Sequence, residues 1–181
     1  MKETASKRLF TGIPLIETLR CGLEQFQKEY SGLPDIRWTP AANLHITICF
    51  LGDTPVTEIP GIIERIKKTA REFVPFRIQF EKITPMPDSN RPSMIWARYH
   101  LNEKFSELCS AISGTLNINP DHKQFIPHIT IARIKKHKKV VLPEFEYVPA
   151  YKTLLVNKLV LWESVLSEKG AEYYEMAEVV L

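Results

Sequence analysis

The order of segments predicts an α+β fold. Strand-like segments come in runs, with few helices between them, which disfavours a doubly wound parallel sheet. The segment 76–83 alternates apolar and polar residues strictly, as a half-buried strand does. Only 7 glycines occur in 181 residues, and no Gly-rich phosphate loop is present, so a Rossmann or P-loop site is not expected.

Residues 8–13 read as a short strand. Pro14 opens a helical pattern through Leu15, Leu19, Leu23 and Phe26, which Ser31 and Gly32 close ahead of Pro34. Residues 36–38 form a brief strand, broken by Thr39-Pro40. Residues 44–51 are strongly strand-like, with Gly52-Asp53 closing them. A second helix covers 56–73, with Ile59, Ile62, Ile63 and Ile66 inward and Lys67, Lys68 and Arg71 outward. The strand 76–83 pairs with 93–99 across a polar loop. A third helix runs over 102–116 through Phe105, Leu108, Ile112 and Leu116. Residues 128–134 are again a strand, and 154–166 and 172–180 form a closing antiparallel pair turned at Gly170.

The length fits a single domain, 1–181. A net charge of +3 is compatible with a phosphate-bearing partner. Cys21, Cys49 and Cys109 form no CxxC pair, so zinc-knuckle and thioredoxin-like chemistry is not indicated. The charged first eight residues lack the apolar core of a secretory signal, and no apolar run approaches the roughly 20 residues that span a bilayer. A cytoplasmic monomer without a membrane partner is expected.

The informative feature is an internal echo. Residues 44–48 read Leu-His-Ile-Thr-Ile and residues 127–131 read Pro-His-Ile-Thr-Ile. Side chains two apart in a strand share a face, roughly 6.5–7 Å apart along the chain. His45 and Thr47 therefore share one face, with Leu44, Ile46, Ile48 and Phe50 on the other. His128 and Thr130 share a face opposite Ile129 and Ile131. If the strands lie side by side, two imidazoles and two hydroxyls converge. One imidazole then suits proton abstraction, the other proton donation, and the hydroxyls suit phosphoryl oxygens. No carboxylate-rich group accompanies them, so neither metal nor cofactor is expected.

At these residues the chain resembles the 2H phosphoesterase superfamily, and within it the RNA 2′,3′-cyclic phosphodiesterases, also called 2′-5′ RNA ligases. The likeness rests on residues 8–13, on Arg37-Trp38, on 43–52, on Arg91 to Trp96, on 125–133, on 161–164 and on the Tyr-rich last strand. It implies a bilobal fold with two antiparallel sheets related by pseudo-two-fold symmetry, helices outside and a catalytic cleft between the lobes. It implies hydrolysis of a 2′,3′-cyclic phosphate end of RNA, or of a cyclic nucleotide, to a 2′-phosphomonoester, with weak 2′-5′ ligation. His45 would be the proton donor, His128 the proton acceptor, and Thr47 and Thr130 the phosphate ligands. Arg133 stands where the family often has a phosphate-binding arginine, yet strict alternation puts it on the face opposite His128.

Other residues read more plainly. His100, His122 and His137 lack a threonine partner and are read as surface or loop residues. The run Lys135–Lys139 is a solvated loop or an RNA-backbone contact. Phe10, Trp38 and Phe50 are read as core, with base stacking the alternative. The competing functions are a non-catalytic RNA-binding module on the same fold and a metal-dependent phosphoesterase.

Overall fold

The computed structural model describes residues 5–88, 91–119, 124–136, 140–150, 152–168 and 170–181. His122, His137 and the end of the 135–139 run lie outside them.

Strand β1 (Ser6–Pro14) leads into helix α1 (Glu17–Glu29), then β2 (Ile36–Trp38) and β3 (His45–Pro55). Helix α2 (Ile59–Ala70) precedes β4 (Phe76–Met86) and β5 (Met94–Tyr99). Helix α3 (Glu103–Thr115) is followed by β6 (His128–Ile134), β7 (Thr153–Val156), β8 (Lys158–Ser167) and β9 (Gly170–Val180). The helices form where apolar periodicity predicts them. The Asn102 side chain caps α3 by accepting from the Phe105 N–H at 3.0 Å.

The strands follow the order β7-β4-β5-β6-β3-β1-β8-β9, with β2 also against β6. Every pairing is antiparallel. The order falls into two halves that meet at β3 and β6 through the pair Ile46–Ile129. The two halves are thus parts of one continuous nine-stranded sheet, joined at this seam, where two sheets were expected. The units β1-α1-β3 and β5-α3-β6 repeat one plan, in which two antiparallel neighbours are linked through a helix. Ile46, Ile95, Ile129 and Ile131 on the sheet form one core with Leu23, Phe26, Ile66, Leu108 and Ile112 of the helices.

Two segments differ from expectation. The run 154–166 is not one strand. β7 pairs with β4, while β8 pairs with β1 and β9, and only Asn157 separates them. Two Cα steps of 3.8 Å cannot cross a flat sheet, so the sheet curls to bring its two ends together there. β3 also continues past Gly52 to Pro55. Gly52 adopts φ of 73°, and its pairing with Leu9, just before Phe10 pairs with Phe50, leaves Leu51 out of the ladder. A bulge at glycine bends the strand without ending it.

Candidate active site

The site lies on the face of β3 and β6 opposite the core. Ile46 and Ile129 are fully buried at the seam, so the pleat turns their neighbours His45, Thr47, His128 and Thr130 the other way. Continuing the antiparallel register sets His45 toward Thr130 and Thr47 toward His128. All four are half-buried.

Both imidazoles are tethered alike. His45 Nδ1 lies 2.7 Å from the Asn43 carbonyl oxygen, and His128 Nδ1 lies 2.7 Å from that of Ile126. A carbonyl only accepts, so each Nδ1 carries its proton and each neutral ring leaves Nε2 as a base. Thr47 Oγ1 stands 3.0 Å from His45 Nε2. In the neutral ring the hydroxyl donates, and in the charged ring the direction reverses.

The rings differ in surroundings. His45 sits against Phe10, Trp162 and Tyr173, at centroid distances of 4.9, 5.5 and 5.3 Å. Its pKa falls to about 4: burial lowers it most, the hydrogen bond to the Asn43 carbonyl raises it in part, and the charge of His128 adds to the lowering. The two imidazoles therefore sense each other across the seam. His128 instead has Trp96 stacked on it, with centroids 3.5 Å apart and planes 16° apart.

The expected parity fails after each motif, in the same way. β1 pairs Gly12 with Thr47 and Thr11 with Cys49, leaving Ile48 out of step. β5 pairs Trp96 with Thr130 and Ile95 with Ala132, leaving Ile131 out of step. Ile48 and Cys49 are both buried, as are Ile131 and Ala132. A one-residue bulge at each place returns the fifth residue after each histidine to the histidine side. Those residues are Phe50 and Arg133. Phe50 is not core: it is 64% exposed, against 2% for Phe10, whose ring centroid is 5.9 Å away. Arg133 is exposed, with Nη1 3.5 Å from Met94 Sδ, and its charge acts on Tyr173. Trp38 packs edge-on against Phe26, and His100 is exposed.

Sequence reasoning missed Gly12, Trp96, Trp162 and Tyr173 as neighbours of the histidines. A Cβ on Gly12 would come 3.3 Å from His45 Cδ2 and 2.5 Å from the Ile46 carbonyl oxygen. Single aromatic residues in alternating strands gave no local sign of which ring they would meet.

Two His-x-Thr strands lie side by side on an antiparallel sheet, each presenting a tethered imidazole, which is the arrangement that the resemblance to two-histidine phosphoesterases implies. The LigT-like phosphoesterase family model matches residues 13–96, a span that includes the first motif and ends at Trp96. A curated RNA 2′,3′-cyclic phosphodiesterase of Aquifex aeolicus is 27% identical, covering 96% of this chain and 97% of its own. One of Archaeoglobus fulgidus is also 27% identical, covering 93% and 97%. A crystal structure of a Thermus thermophilus protein superposes with a TM-score of 0.81 at 27% identity, covering 96% and 97%. The chain is thus similar to the LigT-like phosphoesterases over residues 13–96 and to curated RNA 2′,3′-cyclic phosphodiesterases over nearly its whole length.

Proposed function

We propose that this protein hydrolyses RNA 2′,3′-cyclic phosphate ends, or cyclic nucleotides, to 2′-phosphomonoesters without a metal or cofactor. The observation that carries the reading is the pair of imidazoles with matched Nδ1 tethers, each leaving Nε2 for proton transfer. The curated relatives' names supply the substrate class. His128 takes a proton from water as the water oxygen bonds to phosphorus. The P–O3′ bond breaks, and His45 gives its proton to O3′. Thr47, Thr130 and Arg133 hold the phosphoryl oxygens. A 5′-hydroxyl in place of water gives a 2′-5′ linkage, which is the weak ligase activity.

The free protein holds His45 neutral at pH 7, because its pKa is about 4. A phosphate anion beside the ring favours the imidazolium, so the substrate's own charge loads the acid. Among the described residues no three His, Cys, Asp or Glu side chains are grouped to hold a metal ion, and no helix is long and apolar enough to cross a membrane. The cysteines are free, with Cys49 and Cys109 buried, which suits a reducing cytoplasm. A monomer suffices, since both histidines come from one chain.

The test is turnover of a 2′,3′-cyclic nucleotide in excess EDTA. Hydrolysis is expected to persist, to yield the 2′-phosphate, and to fall at least 100-fold in kcat for His45→Ala and His128→Ala. Activity lost to chelator and restored by zinc or manganese would sink the metal-free mechanism. RNA binding without turnover would favour a binding module.

A further inference from the structure

The two imidazoles share a backbone tether and differ in what lies against the ring. His45 meets Phe10 and Trp162 at tilts of 38° and 50°, and Tyr173 edge-on at 84°. His128 lies nearly parallel to the face of Trp96. An indole face carries the negative part of the ring quadrupole and attracts a cation placed over it.

We propose that Trp96 is a positioning residue for the water-activating histidine: its stacked face fixes the His128 ring and stabilises the imidazolium that forms as His128 takes the proton from water. The proposal rests on the reading of His128 as proton acceptor. The stack is built by register. Three successive regular pairs, Arg98–His128, Ala97–Ile129 and Trp96–Thr130, set Trp96 one diagonal step from His128, ahead of the bulge. The Nδ1 tether to Ile126 fixes the ring from its other edge.

The charged groups around His128 make the stack matter. Arg98 on β5 is paired with Glu81 of β4 at 2.9 Å. Arg133 lies on β6, and His45 faces His128 from β3. Among the described residues, Arg98 and Arg133 oppose a positive charge on His128, as does His45 once substrate has protonated it, and Glu81 is already engaged with Arg98. The Trp96 face favours that charge. At His45 the neighbouring rings are tilted or edge-on, and that ring is left as the better donor. The two roles are thereby separated between histidines whose backbone tethers match.

The experiment is NMR titration of the His128 ring, with no substrate present, in wild type, Trp96→Leu and Trp96→Phe. Trp96→Leu is expected to lower the His128 midpoint by roughly half to one pH unit, with Trp96→Phe keeping most of it. kcat for the cyclic nucleotide is expected to fall about tenfold in Trp96→Leu with KM unchanged. A midpoint that stays put in Trp96→Leu, or moves equally in both variants, overturns the proposal. Should Trp96→Leu fail to fold, fluorotryptophan at position 96 keeps the shape and weakens the ring face. A lowered midpoint then supports the stack, and an unmoved one overturns it. The titration needs no turnover, so a wild type inactive on cyclic phosphates would sink the proposed function while leaving this question decidable.

Discussion

His45 shows how side-chain surroundings set chemistry at the scale of one residue. Its position in a His-x-Thr strand was legible from spacing, but its apolar setting was not, because Phe10, Trp162 and Tyr173 come from three other strands. The folded protein lowers its pKa from 6.5 to about 4. Between those values the unfolded chain binds the proton and the folded chain does not, so stability is lost as pH falls from about 6.5 towards 4. Urea unfolding at pH 7.5 and pH 4.5 checks this. Wild type is expected to lose roughly 2–3 kcal/mol more than His45→Gln over that interval. Equal losses would mean that burial does not hold the ring neutral.

Strands supply their own lesson at the scale of the element. Period-2 reasoning placed His45 with Thr47 and His128 with Thr130 on one face of each strand, as found. It then misplaced Phe50 and left Arg133 on the wrong side, because a bulge follows each motif. The apolar doublets Ile48-Cys49 and Ile131-Ala132 were the trace in the sequence. A doublet, however, also suits a strand end, and only pairing shows which it is. Gly12 belongs to the same level, since β1 passes so close to β3 that no side chain fits. Gly12→Ala is expected to cost about 1–3 kcal/mol of stability. It is also expected to lower kcat tenfold or more by displacing His45. A thermal melt and steady-state kinetics check both, and a neutral substitution would show that the strands can part freely.

Across the whole molecule, the halves repeat a plan but not a chemistry. Equivalent positions five residues after each histidine carry Phe50 on one half and Arg133 on the other. The site therefore has an aromatic side and a cationic side. The proposed function sets the phosphate at Arg133, and the exposure of Phe50 favours the base-stacking alternative over the core reading. Phe50→Ala is expected to raise KM for a cyclic nucleotide about 5- to 100-fold while leaving inhibition by inorganic phosphate unchanged. Arg133→Ala is expected to weaken both. Equal weakening of phosphate by Phe50→Ala would exclude a stacking role.

The α+β class, the three helices, most strands and the paired His-x-Thr faces were legible in the sequence, because periodicity and turn chemistry act over a few residues. Tertiary structure alone decided that β3 and β6 meet at Ile46 and Ile129. It decided that Asn157 divides one apolar run between two ends of a curled sheet. It also decided that Trp96 faces one imidazole while Phe10, Trp162 and Tyr173 surround the other. Those outcomes depend on register between segments far apart in the chain, and register is set by bulges and by how the shared core packs, neither of which a local pattern encodes.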